Sequence, residues 1–283
     1  MIAIENKRFS AEIRLKGAEL ASLKNKSTGQ EYIWQADPDV WGGSAPILFP
    51  IIGKLKGGTT RINGKSYEIP KHGLLRTRDA QLVEQNTDRA VFQFESDEAT
   101  LKCYPFEFTF RIEFQLLETG LEVNYTVNNP GAETMLFSVG SHPAFALDLD
   151  SHALSDYSIE FSEPETIDLY GLRNGLLTKL EDGYLKNQST IPLSDSLFNE
   201  DALIFQNIKS RTIRLNPIGI EVDIRNHPHL GIWQVPGAPY VCIEPWFSFD
   251  DTAHSDGLFE NKPGIMPLPP SESFETGYTV RET

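Results

Sequence analysis

The stretch FEFTFRIEFQL, Phe106 to Leu116, places an apolar residue at every even position. Only an extended strand with one buried face has that period of two. The next segment, LEVNYTVNN, repeats the pattern with Leu121, Val123, Tyr125 and Val127. Between them lies the short connection Leu117-Glu118-Thr119-Gly120. The pair therefore predicts an antiparallel hairpin. Working outward, AVFQFES, DYSIEFSE, RTIRLN, IEVDIRN, YVCIE and FETGYTV read as further strands. Turn residues punctuate them, with 21 Gly and 18 Pro in clusters such as INGK, NNPG and PGAP. Helical periodicity is scarce, and the best candidate is a short turn near DSLFNEDAL. Many strands without alternating helices predict an all-β fold, a large antiparallel β-sandwich. With no linker, repeat or low-complexity tract, residues 1–283 are expected to form one domain.

Composition narrows the function. The net charge of −15 argues against nucleic acid or an anionic membrane as the main partner. The charge is uneven, however. From Lys54 to Arg78 there are seven basic residues (Lys54, Lys56, Arg61, Lys65, Lys71, Arg76 and Arg78) against Glu68 alone. Such a strip is either a solvated face or an attractor for an anionic or polar small molecule. No signal peptide is visible at the N-terminus, and APILFPIIG is too short to span a bilayer. A cytoplasmic location is the expectation. Cys103 and Cys242 are the only cysteines, each in a strand-like apolar context. They read as buried free thiols rather than a disulfide. No GxGxxG follows a strand, and neither GxxxxGK[ST] nor GxSxG occurs. Nucleotide-dependent and α/β-hydrolase chemistries are thereby disfavoured.

The titratable candidates are few. Of six histidines, His152 and His254 sit in polar stretches. His227 and His229 in NHPHL could share a strand face as a metal pair, but no third ligand has a recognisable spacing. No metal site is expected. His72 in PKHGLLR and His142 in GSHPAF are flanked by residues that fix the backbone or open space beside it. Glu244 lies in the middle of the apolar run YVCIEPWF. A carboxylate buried there is costly without a partner or a function, and burial lifts its pKa toward the range of a general base. In a strand, Trp246 would share the face of Glu244 and offer an apolar wall.

In order along the chain, PILFPIIGKLKGG, PKHGLLR, GSHPAFAL, DALIF and CIEPW resemble the aldose 1-epimerase (galactose mutarotase) superfamily. The branch most similar is that of bacterial mutarotase-related proteins. The resemblance extends from about Phe9 to Tyr278. It implies a one-domain antiparallel β-sandwich and the interconversion of α and β anomers of a hexose, with no cofactor. It implies Glu244 as general base and His142 as general acid, placed on opposite sides of the sugar ring. His72 would contact the sugar, and Asp201, or the nearby Asp195, would bind its hydroxyls. Lys54, Arg76 and Trp233 are expected to line the substrate site, with Trp246 or Phe145 as further aromatic cover. An Asn-Arg pair of the well-known mutarotases is replaced here by the loop FPIIGKLKGG. The HGLLR segment is more similar to hexose-6-phosphate epimerases. The expected partner is a small-molecule sugar, phosphorylated or not, bound by a monomer or homodimer. Two alternatives stand beside this: a hexose-6-phosphate 1-epimerase, and a non-catalytic carbohydrate-binding protein.

Overall fold

The computed structural model describes residues 1–283. The hairpin is present as strands Thr109–Leu117 and Gly120–Asn128, with Leu117 opposite Gly120 and Ile112 opposite Tyr125. The even-numbered residues from Phe106 to Leu116 are all buried. Gly120 is required at the turn. Its φ is 152°, and a Cβ there would lie 2.0 Å from the carbonyl oxygen of Val280 on the next strand.

Around this hairpin the chain builds antiparallel sheets, the all-β architecture expected. A fifteen-stranded sheet dominates. From one end it runs Ile47–Leu48, Gly140–Ser141, Tyr240–Trp246, His229–Trp233, Leu203–Gln206 and Ser158–Arg173. It continues through Thr212–Asn216, Ile220–Asp223, Ser273–Glu282, the hairpin, Arg89–Glu95 and Gln81–Gln85. A three-stranded sheet, Ile2–Glu5, Phe9–Arg14 and Glu19–Asn25, shares its core. That core holds 62 buried residues and reaches from Ile4 to Val280.

Two elements differ from the sequence reading. The segment DYSIEFSE opens a much longer strand, Ser158–Arg173, which pairs with Leu176–Pro192. The turn joining them is Asn174-Gly175, both at positive φ, the backbone a two-residue hairpin turn requires. The α-helix Glu98–Cys103 has no counterpart in that reading, while DSLFNEDAL forms the expected turn before Leu203 opens a strand. Asp97 caps this helix by accepting from the Ala99 and Thr100 backbone N–H groups. No helix is long and apolar enough to cross a membrane.

Candidate active site

The strand Tyr240–Trp246 is buried at every residue, so Glu244 is enclosed from both faces. The strands Gly140–Ser141 and Ala144–Ala146 both pair with it, Gly140 opposite Trp246 and Ala144 opposite Cys242. His142 lies in the short link between these two pairings. Sheet register therefore carries His142 to Glu244 across the intervening sequence. His142 Nε2 stands 3.3 Å from Glu244 Oε2. The Pro143 carbonyl accepts from the Ile243 N–H, and the His142 N–H donates to the Pro46 carbonyl, which fixes the imidazole's root.

On the far side of the strand, Gly231 is opposite Glu244. A Cβ on Gly231 would lie 2.7 Å from the Trp246 ring. The glycine thus makes room for the indole beside the carboxylate. Gly231→Ala is expected to cost about 1–3 kcal/mol by overpacking. Denaturant unfolding checks the stability, and turnover is expected to fall with it because Trp246 must shift.

Both groups open onto a cleft of about 800 Å³. His72, Arg76, Asp201 and Trp233 also line it. His72 is held at a φ of 66°, in the left-handed region, immediately before Gly73 at 80°. A Cβ on Gly73 would lie 2.0 Å from the Phe49 carbonyl oxygen, so glycine is obligatory after His72. The Gly53 N–H donates to His72 Nδ1 at 3.2 Å. That bond leaves Nε2 as the proton-bearing nitrogen of the neutral ring. The rings of His72 and His142 meet edge to face, 5.8 Å apart.

Three placements differ from expectation. Lys54 is exposed and does not line the cleft; its backbone N–H instead donates to Asp250 Oδ1 at 2.6 Å. Phe145 is fully buried in the core. His142 and Glu244 are adjacent on one side of the cleft, not facing each other across it, because their strands are neighbours in one sheet. Asp201 lines the cleft and Asp195 does not. The HxH pair is structural. His227 Nδ1 is 2.7 Å from the Ile224 carbonyl oxygen, and His229 Nδ1 accepts from the Asn207 N–H at 3.2 Å.

Sequence reading missed several lining residues. Trp41 stacks on His142 with ring centres 5.0 Å apart, and Trp233 meets the same imidazole edge to face. Trp41 lies in an irregular segment with no strand pattern to point inward. Lys71 was visible only as one of seven basic residues. Asp250 is buried, yet it follows CIEPWFSF in a loop whose burial no periodicity announces.

Burial dominates the electrostatics. It pushes Glu244 well above the ordinary carboxylate range; the Lys71 charge opposes this, while Asp201 and Asp250 add to it. Burial also lowers His142 to about 3, with Lys71 and Arg76 pressing the same way. His72 is held well below its usual value by burial first, then by His142, Lys71 and Arg76. An acid–base pair with displaced pKa values in a polar cleft is an arrangement suited to proton transfer.

Comparison with known proteins gives the family and the fold. The family model described as aldose 1-epimerase matches residues 1–264. The plasmid-encoded protein LacX of Lactococcus lactis is 31% identical, over 99% of this chain and 98% of its own length. The galactose mutarotase related enzyme of Lactobacillus acidophilus superposes with a TM-score of 0.92 at 34% identity, covering 100% of this chain and 97% of that one. A galactose mutarotase-like protein from Lactobacillus casei gives 0.91 at 32% identity, with all of both chains covered. The chain belongs to the aldose 1-epimerase family.

Proposed function

We propose that the protein interconverts the α and β anomers of a hexose, with Glu244 and His142 exchanging protons with the sugar. The carrying observation is the buried Glu244–His142 pair, 3.3 Å apart at the wall of a polar cleft. The two oxygens that must exchange protons, O1 and O5, are bonded to the same carbon. Adjacent groups on one side of the cleft suit them better than groups on opposite sides.

The pair holds one labile proton. As Glu–COOH with neutral imidazole, or as carboxylate with imidazolium, it contains the same number of protons. Burial favours the neutral arrangement in the empty cleft. In the ion-pair arrangement Glu244 takes the O1 proton while His142 delivers one to O5. The C1–O5 bond breaks as the C1–O1 double bond forms. Rotation about C1–C2 turns the aldehyde, and ring closure returns both protons. Each proton-transfer group is worth about 10²–10⁴-fold. In the same reading His72 donates through Nε2 to the sugar, and Trp41 and Trp233 cover its apolar face.

The test is anomer exchange by NMR or polarimetry across several free hexoses. Acceleration of none of them, nor of hexose 6-phosphates, alongside measurable sugar binding would replace this reading with a carbohydrate-binding protein. Lys71 and Arg76 on the lining favour one variation, a phosphorylated hexose held by its phosphate. Here glucose 6-phosphate is expected to exceed glucose in kcat/KM. Arg76→Ala is expected to remove about 1.5–3 kcal/mol of that preference, the worth of a charge-assisted bond. Equal kcat/KM for the two sugars sinks the phosphate variation alone.

A further inference from the structure

Cys242 precedes Glu244 by two residues on the strand and shares its face. Its thiol takes no part in the proton exchange described above. The ligand atoms of His142, Cys242 and Glu244 all lie within 4.8 Å of one another. All three residues are buried. Glu244 Oε2 is enclosed with no hydrogen-bond partner. A buried polar atom left unsatisfied in this way is costly and calls for an explanation.

We propose that His142, Cys242 and Glu244 form a binding site for a zinc-like divalent cation whose occupation blocks the acid–base pair. Nitrogen, sulfur and carboxylate oxygen are the donor set such a cation prefers. A tetrahedral zinc centre sets neighbouring ligand atoms roughly 3.3–3.6 Å apart, from bonds of about 2.0–2.3 Å. His142 Nε2 and Glu244 Oε2 already stand 3.3 Å apart. Sγ, within 4.8 Å of both, completes the set by an approach of at most about 1.5 Å. His142 and Glu244 line the cleft, so the fourth position opens onto it and takes water. Binding displaces the thiol proton to solvent, and the metal bonds to the lone pairs that Glu244 and His142 would use on the sugar. The burial that makes Cys242 a poor nucleophile leaves it a competent ligand, since a metal deprotonates the thiol directly. Metal capture depends only on the three side chains. The inhibition rests on the proposed function.

The experiment titrates the whole chain, freed of metal, with zinc by calorimetry and with cobalt by absorbance. One site per chain, proton release on binding and a thiolate-to-cobalt charge-transfer band are expected. Anomer exchange is expected to fall to background at one zinc per chain and to return with chelator. Cys242→Ser is expected to weaken zinc at least about 10-fold while leaving metal-free exchange unchanged. Cys103→Ser is expected to change neither. Absence of the charge-transfer band, or zinc affinity unaltered in Cys242→Ser, overturns the site. If Cys242→Ser fails to fold, the cobalt spectrum of the unaltered chain decides. The band without any anomer exchange, with or without metal, would leave the site standing and remove the catalytic reading instead.

Discussion

Glu244→Gln is expected to lower kcat for anomer exchange by about 10²–10⁴-fold, with KM changed little. Glutamine keeps the shape of the side chain but can neither take nor hold the proton that the proposed exchange passes through Glu244, 3.3 Å from His142. A substitution that removes a group acting only in the transition state lowers kcat and kcat/KM together. Stability separates this from damage to the fold. Burial holds Glu244 well above the ordinary carboxylate range, so the folded protein must keep it protonated at a pH where the unfolded chain ionises it. Glutamine removes that cost. The variant is therefore expected to melt at or above the parent at neutral pH while losing turnover. Parent-like kcat in Glu244→Gln would strip Glu244 of its role. A large loss of stability alongside lost turnover would instead make Glu244 a structural residue.

Much of this arrangement was legible in the sequence, for reasons that differ by residue. The period of two in FEFTFRIEFQL is a direct imprint of a sheet with one buried face, so the hairpin and fold class followed from it. Glu244 was legible because a charge inside an apolar strand is an anomaly that burial alone makes expensive. Its proximity to His142 was not, because register between distant strands is set by the whole sheet. The opposite-sides arrangement of acid and base failed on that point. The long hairpin from Ser158 to Pro192 carried its own signal, Asn174-Gly175, which the irregular burial of its strands obscured. Trp41 and Asp250 stand on irregular backbone, where nothing in the local pattern says which way a side chain points. Lys54 and Lys71 are chemically the same and lie in one basic strip; only the loop's path puts Lys71 at the cleft and leaves Lys54 outside it.

The second large effect is on stability against acid. Four histidines are buried and held neutral. Burial lowers His142 to about 3 and His227 and His229 to about 4, and it drives His72 well below its usual value. In the unfolded chain each titrates near 6.5. Between roughly pH 6 and pH 4 the unfolded chain therefore binds protons that the folded one refuses, and stability falls as the pH drops. Glu244 and Asp250 act in the other direction. Both are raised by burial, which favours their protonated forms in the fold, a contribution to stability that is lost as pH rises. Near pH 5 the buried histidines outnumber the raised carboxylates, so unfolding takes up protons, and each histidine that the fold keeps neutral adds about 1.4 kcal/mol per pH unit to the slope. Denaturant unfolding at closely spaced pH values from 7 to 4.5 is expected to show that loss well above the range where carboxylates alone unfold proteins. His227→Gln removes one of the four and lies away from the cleft. It is expected to reduce the slope by about 1.4 kcal/mol per pH unit, whatever it does to stability at pH 7. A flat profile from pH 7 to pH 5 would mean that the buried histidines accept protons within the fold. The neutral arrangement of the His142–Glu244 pair in the empty cleft would then be wrong as well.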